Sequence, residues 1–377
     1  MNDSANDSMK LPQSNLAVVA FNPNGTFPTL PQFMLQQIFD FLKYKAYIAI
    51  RPTCKCFNAT WAQAMENGRM TGVLFVPKNC ATLEGAVNTV KKDDRLTTIV
   101  LRKGEHVVEF LGTNIVGDPF VCNHLKISSA MNIVGDPGVA KETVVVVGGI
   151  HFKSRIQGNC HLQHLTLRQA KMNGVTGRSS FTMEEVLVEQ CGWSGVHAYG
   201  PGGVGRCTNV EVRECRKSGV CASGGASITL IGAKTSVHHN CTRGESDEYG
   251  LQVYKSFSTI QLISPLTKEQ VATDNSGGGN WGAEDGGDIN RIKTTTEAEI
   301  KAAVAAVAAV VASGKVRVPE DCKTLQEAVD WVHKEDRLTT IVVGKGRHHR
   351  SDGDHFKIAS AMNIVGDPEV PKSEIVV

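Results

Sequence analysis

A chain of 377 residues has room for two or three domains, and its 41% hydrophobic content is enough for a sizeable core. Its 40 basic and 38 acidic residues leave a formal charge of +2, so no global field draws it to nucleic acid or to an anionic membrane. Eleven cysteines are an odd number, and with no secretory leader expected they predict reduced thiols in the cytoplasm or nucleus rather than a disulfide framework.

Residues 1–27 begin with Asn and Asp, and their apolar run from Leu16 to Phe21 is too short for a signal-peptide core; they are expected to form a disordered tail. The other long apolar run, Ala302 to Ala312, has eleven residues where a bilayer span needs about 20. The sequons at Asn24 and Asn240 are expected to stay unused.

Residues 28–70 read as a small helical unit. Leu35, Ile38, Phe39 and Leu42 form a stripe at helical spacing after Leu30-Pro31, Ile48 and Ile50 continue the apolar signal, and Phe57 and Trp61 make an i, i+4 aromatic pair. Pro52 is expected to break the second helix near its end.

From Leu83, "LEGAVNTVKKDDR" places Leu83, Ala86, Val87 and Val90 on one face of an amphipathic helix expected to cap the open end of the repeats that follow, and "LTTIVL" from Leu96 then reads as a strand. A rhythm follows. "LQHLTLRQAKMNGV" from Leu162, "MEEVLVEQCGWSGV" from Met183 and "CTNVEVRECRKSGV" from Cys207 share one frame. Leu165 and Leu167 correspond to Val186 and Val188 and to Val210 and Val212; Ala170, Cys191 and Cys215 correspond, as do Gly174, Gly195 and Gly219. Offsets of 21 and 24 residues, each with a short strand and what reads as a glycine turn, predict a solenoid whose coils stack to share a core. Leucine-rich repeats need a stricter leucine frame, an asparagine motif and a helix that these repeats lack, so stacked parallel strands fit better.

In that frame Cys191 and Cys215 are small inward side chains above Ala170, and without a Cys-x-x-Cys pair no metal is expected at them. "GPGGVG" at Gly200 to Gly205 matches a dinucleotide fingerprint only formally, because the frame puts it between two coils rather than between a strand and a helix. The outward positions Thr166, Leu187 and Glu211 offer neither aligned acids nor an aromatic platform. No cofactor and no catalytic set is expected.

A fourth frame keeps Val237 but reaches Gly250 about six residues late, and the excess carries Glu245, Asp247 and Glu248. A second acidic, glycine-rich stretch holds Trp281, Glu284, Asp285 and Asp288. Loops inserted at one corner of a solenoid are where binding accumulates, so these seven are the candidate target-binding residues. If the two loops share a face, their carboxylates could hold a cation or do acid–base work; solvated turn acids are the plainer reading.

Residues 294–315 read as a linker helix, with Thr296 and Glu299 as a capping box, Gly314 as a stop and Ile300, Val304, Val307 and Val311 on one stripe expected to pack on the finished solenoid. Residues 316–377 repeat the solenoid start in part. "VPKNCATLEGAVNTVKKDDRLTTIV" from Val76 returns as "VPEDCKTLQEAVDWVHKEDRLTTIV" from Val318, and "AMNIVGDP" at Ala130 returns at Ala361 after an eleven-residue deletion. "NIVGDP" occurs a third time at Asn114.

The front module resembles the F-box: Leu30-Pro31, Ile38, Leu42, Cys54-Lys55, Phe57 and Trp61 stand where that family has Leu-Pro, Ile, Leu and a Cys-Lys or Ser-Lys followed by aromatics. The repeats of residues 76–293 resemble the right-handed parallel β-helix of the pectate-lyase-like superfold, with its carbohydrate-binding and sugar-hydrolase repeats. Together the resemblances imply a mainly β protein and a non-enzymatic substrate receptor of an SCF-type ubiquitin ligase. Leu30, Pro31, Leu35, Ile38, Leu42 and Ile48 would bind the adaptor subunit, and the β-helix would present an unknown target protein with its binding face. A polysaccharide lyase or glycosidase, and a repeat scaffold without ligase coupling, are the alternatives.

Overall fold

A computed structural model of the chain describes residues 72–108, 123–322, 324–334, 337–348, 358 and 361–377. The tail, the F-box-like module with Leu30, Pro31, Leu35, Ile38, Leu42 and Ile48, and the third "NIVGDP" at Asn114 lie outside the described residues. Two compact units divide the chain, residues 1–196 and 197–377.

In the first unit a strand, β1 (Val73–Val76), leads into helix α1 (Leu83–Lys92). The helix starts where Thr82 Oγ1 accepts from Gly85 N at 3.1 Å, and it buries Leu83, Ala86, Val87 and Val90, the stripe expected from spacing. Short strands then follow one another round three parallel sheets. One sheet takes β1, β2 (Thr98–Leu101), β5 (Asn132–Gly135), β8 (Cys160–Gln163) and β11 (Phe181–Glu184). The second takes β3 (Gly104–Val107), β6 (Val144–Val147), β9 (Thr166–Arg168) and β12 (Leu187–Glu189). The third takes β4 (His124–Ile127), β7 (Gly149–Phe152) and β10 (Val175–Gly177).

Each sheet supplies one inward column of side chains. Ile99, Ile133, Leu162 and Met183 stand in register in the first; Val146, Leu167 and Val188 in the second; Leu125, Ile150 and Val175 in the third. All ten are buried, and each such side chain contributes about 1.5 to 3 kcal/mol. Parallel strands one coil apart lie about 4.8 Å apart, so like residues stack on like. The register pairs Val188 with Leu167, as the 21-residue offset predicts.

Two details differ from the expectation. Thr166 and Leu187, outward in the frame, are 0% and 2% exposed, and Thr166 Oγ1 donates to the Lys141 carbonyl at 3.1 Å, which shows that the Lys141–Thr143 turn reaches this strand. Gly174, for its part, is no left-handed turn residue. A Cβ there would sit 2.5 Å from Val188 Cγ1 and 2.8 Å from Gly195 O, so the glycine is a close-packing site. The sharp bends fall on His164, Gln169, Glu185 and Gln190, all with φ between 52° and 56°.

β13 (Val196–Tyr199) spans the boundary between the units, and the strands of the second unit pair in the same way. β14 (Val204–Thr208) pairs with β17 (Ser227–Ile231), then β20 (Thr259–Ile263) and β23 (Ile292–Thr295). β15 (Glu211–Arg213) pairs with β18 (Ser236–His238) and β21 (Ala272–Thr273), and β16 (Val220–Ser223) with β19 (Tyr249–Tyr254) and β22 (Gly279–Glu284). Val212 meets Val237 in register, and Val220 meets Leu251, so the fourth frame accommodates its insertion without losing the core.

Corners of these coils are held by a short asparagine ladder that the repeat pattern did not reveal. Asn240 accepts from Cys215 N at 3.1 Å and donates to the Val212 carbonyl at 3.0 Å; Asn275 accepts from Asn240 N at 3.0 Å and donates to the Val237 carbonyl at 3.0 Å. Cys191, Cys215 and Cys241 are free and completely buried. Burial pushes the Cys241 thiol up to about 12, which suppresses the reactive thiolate.

A short helix, α2 (Lys268–Val271), begins on a Thr267–Gln270 capping box, and α3 (Glu297–Ser313) on the expected Thr296–Glu299 box; α3 ends at Gly314 with φ 67°. Val310 of α3 packs on the core of the duplicated segment; Ile300, Val304 and Val307 are not among the described side chains. The duplicate folds as its first copy does. β24 (Lys315–Val318), α4 (Leu325–Lys334), β25 (Thr340–Val343) and β27 (Asn363–Gly366) reproduce β1, α1, β2 and β5, with Val316, Ile341 and Ile364 in register. Two short strands, β26 (Gly346–Arg347) and β28 (Ile375–Val376), pair beside them. Thr324 and Glu327 complete their reciprocal cap at 3.2 and 3.3 Å.

Candidate functional site

The insertion in the fourth frame folds into a tight polar loop. Carboxylate oxygens of Glu245, Asp247 and Glu248 lie within 4.8 Å of one another. Three like charges at that distance repel, and the loop holds because cations and donors face them. Lys217 Nζ is 2.9 Å from Glu248 Oε1 and 4.0 Å from Glu245 Oε2, and Arg243 Nε is 3.3 Å from Glu245 Oε1. Ser218 N donates to Glu248 Oε2 at 3.2 Å, and Gln252 Nε2 donates to the Asp247 carbonyl at 2.6 Å. Burial alone favours neutral Lys217, but its hydrogen bond to Glu248 and the charges of Glu248 and Glu245 hold its pKa above the usual range. Glu248 is 8% exposed, so this acid anchors the loop, and the cluster works as an ion-paired staple.

The second acidic stretch meets the first through backbone. Gly278 N donates to the Glu248 carbonyl at 2.9 Å. At Gly277, with φ 66°, a Cβ would sit 2.5 Å from Glu245 O, so a side chain there would push the two loops apart. The acids of the second stretch lie at the other end of β22. Tyr249 pairs with Gly279 and Tyr254 with Glu284, about 17 Å along the strand. One side chain spans the gap: the Tyr249 ring lies over Gly282, where a Cβ would come within 2.3 Å of it, and its hydroxyl donates to Glu284 Oε1 at 3.3 Å.

The remaining candidates have separate placements. Asp285 is 3.8 Å from Lys255 Nζ, and Asp288 Oδ1 accepts from Asn290 N at 2.9 Å, capping the Ile289–Arg291 turn. Trp281 is in register with buried Leu251 on the inward side of the last coil, with Lys268 Nζ 5.0 Å from its ring centre.

A surface that the residue pattern did not single out forms at the corner after β13, β16 and β19. Tyr199 and Phe257 are 42% and 47% exposed. Ser223 and Tyr254 are in register, and Gly200 N donates to the Ser223 carbonyl at 2.9 Å, which sets Tyr199 on the other side of Ser223. His197 Nε2 is 3.0 Å from Ser223 Oγ, and its ring meets Tyr199 edge-on at 6.1 Å. The floor is glycine: Gly200, Gly224 and Gly225 have φ of 73°, 63° and 84°. "GPGGVG" therefore turns between β13 and β14, strand to strand, with no helix after it. Gly224, Gly225, Lys255, Ser256, Phe257 and Asp285 line a cavity of about 680 Å³ with Glu327, Asp330 and Trp331. The repeats' own offsets carried the signal: Tyr199, Ser223 and Tyr254 stand 24 and 31 residues apart, like Val196, Val220 and Leu251.

Among the described residues no helix is long and apolar enough to cross a membrane. Comparison with family models, curated proteins and solved structures gives no match.

Proposed function

We propose that the chain is a non-enzymatic binding protein, a substrate receptor of an SCF-type ubiquitin ligase acting in the cytoplasm or nucleus. In this reading the coils form a right-handed parallel β-helix of the pectate-lyase-like kind, and the Leu30 to Trp61 module holds the adaptor subunit. The observation that carries it is the corner of exposed Tyr199 and Phe257 and half-buried Tyr254 beside the turn glycines Gly200, Gly224 and Gly225. Tyrosines held by stacked strands offer large contact area at little entropic cost, which suits the anchors of a protein interface. Ion pairs to Lys217 and Arg243 tie down the Glu245–Glu248 loop.

An adaptor pull-down tests the reading. The intact chain should capture the adaptor, and a Leu30→Glu, Ile38→Lys variant should not, since each apolar anchor contributes about 1.5 to 3 kcal/mol. Failure of the intact chain to bind discards it. Glu284 and Asp285, side by side in sequence near Tyr249 and Tyr254, are the acids a lyase or glycosidase would draw on. Calcium-dependent cleavage of an acidic polysaccharide, abolished by Asp285→Ala, would establish that alternative.

A further inference from the structure

A second surface lies on the outward side of the third sheet in the first unit. Lys126, His151 and Thr176 are in register on β4, β7 and β10. One step beyond the strands, Lys153 N donates to the Ile127 carbonyl at 2.9 Å and Arg178 N to the Phe152 carbonyl at 3.0 Å, so Ser128, Lys153 and Arg178 make a parallel row. Lys126, Lys153, Arg155 and Arg178 are exposed. Residues 123–131, 148–159 and 172–181, which build this face, contain no Asp or Glu. Lys126, Lys153 and Arg155 make no ion pair among the described residues.

The face is shaped as well as charged. His124 lies across Gly149, where a Cβ would come within 2.4 Å of its ring, and its Nε2 is 2.7 Å from the Asn173 carbonyl two coils away. His151 Nε2 is covered yet has no hydrogen-bond partner among the described residues. Burial, then the charges of His124, Arg178, Lys126 and Lys153, pull the His151 pKa down to about 4. Among the described residues the charges that act on this imidazole are positive, in a chain whose formal charge is only +2.

We infer that this face, carried by Lys126, Lys153 and Arg178, docks an acidic segment of a partner protein. The inference rests on reading the chain as a protein receptor. The rows span about 10 Å across three coils and about 7 Å along the strand. That footprint matches a few carboxylates on an extended segment, whose alternate residues are about 6.6 Å apart. Nucleic acid needs a longer track of phosphate contacts.

Fluorescence anisotropy of a labelled oligoglutamate peptide with the full chain tests it, beside a single-stranded oligonucleotide of equal charge. The peptide should bind more tightly than the oligonucleotide and weaken with salt. Lys153→Glu with Arg178→Glu should weaken it about tenfold or more. If charge reversal perturbs the fold by circular dichroism, Lys126→Gln with Lys153→Gln should still weaken binding several-fold. Affinity unchanged in the folded variants, or tighter binding of the oligonucleotide, overturns the inference. The same variants should capture adaptor as the intact chain does. Peptide binding without adaptor capture would defeat the ligase reading and leave this surface standing.

Discussion

Gly174 and Gly219 show how closely the coils approach. A Cβ on Gly219 would lie 2.3 Å from Val237 Cγ1 and 2.8 Å from Asn240 Nδ2, so Gly219→Ala should cost about 1 to 3 kcal/mol in urea unfolding. Asn240→Ala, which strips a buried carbonyl and a buried amide of their partners, should cost a similar amount, about 1 to 3 kcal/mol. His151 makes stability depend on pH. Its folded pKa lies below the usual 6.5, so the neutral ring stabilises the fold fully above pH 6.5, and that contribution is lost as pH falls through about 4. His151→Gln should flatten the thermal midpoint across that window. Inward residues such as Val188 and Leu167 were legible in the sequence because stacking repeats their type at a fixed offset. The bends were not, because left-handed backbone falls on Gln169, Glu185 and Gln190, residues that carry no turn signature. Glycine drew attention to the wrong cause: in Gly174 it marks close packing.

Among the elements, α1 was the most legible, since Leu83, Ala86, Val87 and Val90 recur at helical spacing and are buried as expected. Leu83→Ala should cost about 2 to 5 kcal/mol by opening a cavity under α1. The two copies also invite an exchange. Thr82 caps α1 with a single bond, whereas Thr324 and Glu327 form both halves of a box. Gly85→Glu should copy the second into the first and stabilise the unit by about 1 kcal/mol, from helix propensity and the added bond, measured as a shift in the urea midpoint. The acidic loops were half legible. Their carboxylates were visible as residues, but Lys217, Arg243 and Ser218, which tie down Glu245 and Glu248, come from other segments that only folding brings close. Tyr199, Tyr254 and Phe257 were obscured because an intervening coil puts Ser223 in the row.

For the molecule as a whole, the repeat period accounts for why two chemically different surfaces coexist. Inward columns need only apolar bulk, so outward positions are free to drift from coil to coil, basic around Lys153 and aromatic around Tyr254. Binding at each should be separable: Tyr254→Ala with Phe257→Ala should leave oligoglutamate affinity within about twofold, because exposed charges contribute through local fields.

The sequestered sulfhydryls have a practical use. Cys160, Cys191, Cys207, Cys215 and Cys241 are all shielded and unbridged, so an alkylating reagent can label each one only once its own winding has come apart. Mass spectrometry of a chain held in graded denaturant would then give the order in which the windings peel, an internal record of unravelling that needs no added probe.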